Sequence, residues 1–196
     1  RQIATERFPE DVYSRGLKVY TTLIKADQEA AYASLRRGVM DYDRRHGYRG
    51  AESYLDMKDI KSDQDEAIDE ALQDIPDAGD LIPALVLAAD SKQIHAYRKG
   101  GDIVTLSGDA MKFAAAMLDD KAPANKRIKR GAIIRLLKND KGDWQISQLP
   151  EVESAFVAVD PKSGAIRALV GGFDFNRNKS NHVTQAWRQP GSSFKP

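Results

Sequence analysis

Residues 17–24, LKVYTTLI, alternate in character, with Leu17, Val19, Thr21 and Leu23 on one side, the period-two pattern of a short strand. Asp27 then suits the N-cap of a helix, with Glu29 in its first turn. That helix runs to about Arg45, and Gly47 is its stop signal. Ala31, Leu35 and Val39 recur every four residues along it and predict one buried stripe. Asp41, Asp43, Arg44 and Arg45 crowd its end and read as a solvated, ion-paired face. Residues 50–57 predict a second short helix. A third begins at Ser62 or Asp63 and ends before Pro76, with Ala67, Ile68, Ala71 and Leu72 inward.

After the turn residues PDAGD (76–80) the pattern changes to strands. LIPALVLAAD (81–90), QIHAYR (93–98) and DIVTLS (102–107) are separated by good hairpin connectors. GDAMKFAAAMLDD (108–120) reads as helical and KAPANKRIKR (121–130) as a polar loop. GAIIRLLKND (131–140) and DWQISQL (143–149) form another hairpin. Five short strands with one helix between the third and fourth is the element order of an OB-like barrel. Beyond Pro150, SAFVAVD (154–160) and AIRALVGG (165–172) flank PKSG and predict an antiparallel hairpin that is apolar on both sides. Part of that hairpin should therefore lie under other structure. The predicted class is α+β in three parts: a strand-and-helix linker region over 1–80, the OB-like barrel over 81–150, and the hairpin unit over 151–196.

Composition narrows what such a chain does. The 29 acidic and 30 basic residues of its 196 nearly cancel, which removes the electrostatic reason to propose a nucleic-acid partner. Without cysteine there are no disulfides or thiolate metal sites, and His46, His95 and His182 are too scattered to predict zinc. No cofactor is predicted. No run approaches the roughly 20 apolar residues of a membrane span, and RQIATERFPED is unlike a signal peptide. Both ends are abrupt and read as the ends of a piece of a longer protein.

The chemistry lies in RQPGSSFKP (188–196). A serine hydroxyl is a poor nucleophile until a base takes its proton. On a helix, residues i and i+3 are neighbours, so Ser192 and Lys195 can approach hydrogen-bonding distance, whereas Ser193 stands at i to i+2 and points away. A base needs a neutral amine, which desolvation or a cationic neighbour favours. Gly191 permits a close approach of substrate backbone, and Pro196 is tolerated only in a first turn, which puts the helix start at about Ser192. There the helix dipole favours developing negative charge. An isolated S-x-x-K arises by chance in roughly half of chains this long, so its surroundings carry the identification.

SAFVAVDPKSGAIRALVGGFDFNRNKSNHVTQAWRQPGSSFKP closely resembles the start of the transpeptidase domain in class A penicillin-binding proteins. Independently, EDVYSRGLKVYTTL and DYDRRHGYRGAE resemble the linker between the glycosyltransferase and transpeptidase domains of the 1A type, which carries an inserted domain where the OB-like region lies. The resemblance implies that residues 151–196 are the N-terminal part of a transpeptidase domain on the periplasmic side of the inner membrane, anchored by a segment outside this chain. It implies that Ser192 attacks a stem-peptide D-Ala-D-Ala carbonyl, that Lys195 moves the proton, and that β-lactams acylate the same serine. It also implies that the inserted domain docks an outer-membrane lipoprotein activator.

The pattern is incomplete. S-x-N occurs nowhere, and Lys162-Ser163-Gly164 matches K-[ST]-G but precedes the nucleophile, so it reads as a hairpin turn. Two readings follow: an enzyme segment, inactive by itself, or a docking module over 81–150 that binds an activator protein or peptidoglycan. For the module, the basic loop Lys126-Arg127-Ile128-Lys129-Arg130 is either an acidic-partner patch or a solvated loop. Trp144 and Tyr97 are either sugar platforms or packing residues.

Overall fold

The runs PALVLAA and, apart from Arg135, AIIRLL are apolar at consecutive positions because their strands are covered on both faces. The computed structural model describes residues 2–57 and 65–195. In chain order it places α1 (Gln2–Arg7), α2 (Lys25–Arg45), β1 (Ser53–Tyr54), α3 (Asp65–Gln73), β2 (Ile82–Ala89), β3 (Gln93–Arg98) and β4 (Asp102–Ser107). A 3-10 helix (Gly108–Met117), β5 (Ala132–Lys138), β6 (Trp144–Ser147), β7 (Phe156–Val159) and β8 (Ile166–Val170) follow, then a 3-10 turn at Gly191–Phe194. All strand pairs are antiparallel, in a six-stranded sheet ordered β1-β5-β2-β3-β4, with β6 also on β5, and a separate β7-β8 hairpin.

One face of the large sheet presents Ala84, Val86, Ile94, Ala96, Leu106 and Ile134 to Met111 and Ala114 of the 3-10 helix. The other presents Leu85, Tyr97 and Ile133 to Ile68 and Leu72 of α3. The strand, helix, strand order is that predicted for an OB-like unit, but the sheet does not close into a barrel. No ladder joins β4 to β6 among the described residues, although the two strands approach each other, and the 3-10 helix packs against both. The segment predicted as helix over 108–120 is this 3-10 helix, which ends three residues earlier.

The stripe Ala31, Leu35 and Val39 is buried as its spacing predicts, against Ala168 and Val170 of β8 and Phe173. Gln28 fixes the docking: its side-chain N–H donates to Leu169 O at 2.9 Å and its side-chain oxygen accepts from Leu169 N at 2.8 Å. The helix begins at Lys25 with Ile24 at its N-cap and no capping side chain. Asp27, predicted as that cap, lies in the first turn and pairs with Arg167 at 3.3 Å.

Other expectations fail for local reasons. Residues 17–24 form no strand. They bond β8 through Thr22 Oγ1 to Ile166 O and Ile24 N to Arg167 O, without a ladder, and both alternating sets stay exposed. Residues 50–57 form no helix: Gly50 has φ of 111° and lies against Lys126, and Ser53 and Tyr54 pair with β5 instead. The third helix is α3, whose predicted start at Ser62 or Asp63 lies outside the described residues. The terminal hairpin forms, and its turn closes on Asp160, which accepts from Lys162 N, Ser163 N and Ser163 Oγ at 2.8–3.0 Å. Lys162-Ser163-Gly164 is thus part of a turn.

Candidate functional site

The segment from β8 to the S-x-x-K motif is shaped by backbone bonds. Gly171 has no room for a side chain, since a Cβ there would sit 2.7 Å from Asn181 Oδ1. Its carbonyl receives the His182 N–H at 2.8 Å, with the His182 ring Nδ1 at the same distance. Phe173 is buried, and its N–H donates to Glu153 Oε2 at 3.1 Å. Asn181 then caps a turn by accepting from Thr184 N and Gln185 N.

Beyond Gln185 the chain is exposed, Trp187 to 95%. Gly191 adopts φ of 56°, and Gly191–Phe194 forms a single 3-10 turn closed by Ser193 N to Pro190 O and Lys195 N to Ser192 O. Lys195 is extended, with ψ of 132°, so the helix expected to carry Ser192 and Lys195 on one face does not continue through the lysine. Both residues are exposed, and no hydrogen bond joins their side chains among the described residues. Pro196, on which the predicted helix start rested, lies outside the described residues.

The candidate binding residues of the module divide clearly. Tyr97 is core, 1% exposed, and its hydroxyl donates to Asp69 Oδ1 at 3.1 Å. Trp144 is half-buried with the Arg98 guanidinium 4.4 Å and Lys138 Nζ 5.0 Å from its ring centre. In the basic loop Ile128 is buried, Arg127 pairs with Asp120 at 2.9 Å and Lys129 lies over the Tyr54 ring. Those cations are held by neighbours within the chain.

Two buried clusters escaped the sequence. Asp43, expected on a solvated face, is 3% exposed and accepts from Arg49 Nη1 at 2.8 Å, Gln148 Nε2 at 2.8 Å and Glu151 N at 3.3 Å. Arg49 also pairs with Glu151 at 3.1 Å and donates to Leu149 O, tying the end of α2 to the exit of β6. Arg36 donates to Phe173 O and Ala78 O, pairs with Asp80 and stacks 4.1 Å from the Phe173 ring. Beside these, burial raises the Tyr48 hydroxyl above its usual range, and its ring meets Phe113 edge-on at 5.3 Å. Among the described residues no three His, Cys, Asp or Glu side chains gather as a metal site, and no helix is long and apolar enough to cross a membrane.

A family profile described as "Penicillin-binding protein OB-like domain" matches residues 48–152. That range takes in β1, whose two residues pair with β5. Penicillin-binding protein 1A of Neisseria lactamica is 43% identical over 197 residues, covering 100% of this chain and 24% of that protein. Penicillin-binding protein 1A of Escherichia coli K12 is 38% identical, with the same two coverages. The chain thus spans about a quarter of the length of these relatives. The crystal structure of penicillin-binding protein 1A from Haemophilus influenzae superposes with a TM-score of 0.83 at 35% identity, over 100% of this chain and 28% of that one.

Proposed function

The chain belongs to the penicillin-binding protein OB-like domain family, and from that premise we propose that it is a segment of a class A peptidoglycan synthase whose transpeptidase nucleophile is Ser192. Residues 1–80 act as the interdomain linker, 81–150 as the inserted OB-like module and 151–196 as the leading part of the transpeptidase domain. The parent combines glycosyltransferase and D,D-transpeptidase activities on the periplasmic side of the inner membrane. The observation that carries the reading is S-x-x-K at Ser192–Lys195, reached from an antiparallel hairpin through a tied turn, in a chain similar over its full length to penicillin-binding proteins 1A.

In the proposed reaction Ser192 Oγ bonds to the carbonyl carbon of the penultimate D-alanine of a stem peptide while its proton passes to neutral Lys195 Nζ. The tetrahedral intermediate collapses with loss of the terminal D-alanine, whose amine takes that proton. An amine of a neighbouring stem then attacks the acyl-serine, forms the crosslink and restores the Ser192 hydroxyl. A β-lactam enters by the same first step, but the ring nitrogen released from the carbonyl takes the proton and stays tethered to the acyl group. The exposed 3-10 turn holds neither the two side chains together nor an oxyanion hole, so the proposal requires further structure around the motif.

Fluorescent penicillin tests this. The 196-residue chain is expected to stay unlabelled. A longer protein carrying the complete transpeptidase domain is expected to be labelled, with labelling lost in Ser192→Ala and kept in Ser193→Ala. Labelling that survives Ser192→Ala in the longer protein overturns the assignment, and stoichiometric labelling of Ser192 in the chain alone overturns the requirement for further structure.

A second role is favoured by the complete core of the OB-like sheet within this chain. The module would dock an outer-membrane lipoprotein activator or peptidoglycan. Titration of the chain with soluble peptidoglycan fragments and candidate lipoproteins tests it; binding of neither leaves the module a spacer.

A further inference from the structure

In an antiparallel strand one residue turns both its backbone groups toward one edge, and the next residue turns them toward the other. Gln28 reveals that alternation in the β7–β8 hairpin, because its side chain takes both Leu169 N and Leu169 O. Leu169 therefore faces the edge away from β7, and Arg167 O on the same edge accepts the Ile24 N–H at 2.9 Å. That edge of β8 is plugged from within the chain. Val157 stands directly opposite Leu169, so its own N–H and C=O point away from β8, along the edge of β7 that pairs with no strand among the described residues. Such groups must find water or another strand.

The free edge fits a second copy of itself. Phe156–Val159 carries no charge and no proline. A twofold axis at Val157 sets the two valines opposite each other and sets Phe156 opposite Ala158 of the second copy. Phe156 and Ala158 lie on the α2 side, where a groove of about 570 Å³ runs between Leu35, Gly38 and Tyr42 of α2 and residues 152–156. The large ring thus meets a small residue beside open space. On the other face Val157, 47% exposed, packs on its symmetry mate. The bulge after Ala158 ends the regular stretch, so the pairing is short and its strength depends on concentration. Pairing about this axis uses both free edges at once and leaves only the plugged edges outside.

We propose that the 196-residue chain forms a closed dimer in which β7 pairs antiparallel with β7 of a second copy, making one four-stranded sheet. The proposal rests on the hairpin alone and holds whether or not Ser192 is a nucleophile.

Sedimentation velocity of the whole chain over a concentration series tests it. Monomer and dimer are expected with no larger species, and exchange of the Val157 amide should slow as the dimer forms. Val157→Lys and Val157→Glu each place like charges opposite across the axis and should weaken dimerisation by about tenfold. An equimolar mixture of the two should recover it, which also shows that both variants fold. Gln28→Ala opens the β8 edge and should carry assembly past two copies. The proposal is overturned by a chain that stays monomeric, by open-ended growth of the unmodified chain, or by a mixture that associates no better than its components. Assembly of Gln28→Ala that stops at two copies overturns closure by the plug.

Discussion

Deleting the Asp43 carboxylate removes an acceptor shared by three donors: the Arg49 guanidinium and the Gln148 amide, which keep other partners, and the Glu151 N–H. Breaking a buried pair costs far more than an exposed one is worth. Asp43→Ala should therefore lower unfolding free energy by about 2 kcal/mol in urea titrations, the scale of buried hydrogen bonds left unmade. Arg49→Ala should cost less, since Arg49 is partly exposed, and the double variant less than the sum of the two. Asp160 offers a pH test. Backbone bonds from Ser163, with its hydroxyl and Lys162 N assisting, hold its pKa below the ordinary 3.8. A folded-state pKa below the unfolded one means that the stabilisation is complete above 3.8 and is lost as pH falls through the depressed value. Amide exchange at Lys162 and Ser163 should accelerate in that acid range, and much less in Asp160→Asn. At this scale the apolar stripe of α2 was legible because 3.6-residue periodicity is local. The pairing of Asp43 was not, because Gln148 lies 105 residues away and a charge at a helix end looks the same whether it faces water or a distant amide.

Elements were legible where strands carry their own turns. The β2–β3–β4 meander, the β5–β6 hairpin and the β7–β8 hairpin all lie where their turn residues place them. Segments that depend on distant partners were misread, as at 17–24, where alternation has no ladder to join, and at 50–57, where β5 draws two residues into the sheet. Gly131 illustrates the dependence: its φ is 87°, its N–H donates to Val86 O, and a Cβ would lie 2.7 Å from Leu55 O. Gly131→Ala should destabilise by about 2 kcal/mol or more, from the left-handed backbone and the clash together. Chemical denaturation measures it, and a near-neutral result would show that the 55–57 turn moves aside.

For the molecule as a whole, the β7–β8 hairpin buries Ala168 and Val170 against α2 while Phe156, Val157, Val159 and Ile166 remain exposed. Phe156 stands on the α2 side of the hairpin and Val157 on the other, so both faces leave apolar side chains open, as surfaces that other structure covers do. The 196-residue chain should accordingly self-associate with rising concentration in light scattering, and Val157→Lys with Val159→Lys should reduce it. Equal scattering from both proteins would place the sticky surface elsewhere. Spacing and sequence context made Ser192 and Lys195 legible as candidates. Their mutual geometry was not, because i to i+3 proximity assumes a helix that continues, and here the turn ends at Phe194.

The contact of Gln28 with Leu169 spans 141 positions. At translation speeds of about 5–20 residues per second, roughly 7 to 28 seconds separate synthesis of α2 from synthesis of the strand that covers it. Throughout that interval the nascent chain displays Ala31, Leu35 and Val39 on an unfinished surface. A chaperone that binds apolar helical stripes therefore has a fixed window on this protein, opened by α2 and closed by the arrival of β8.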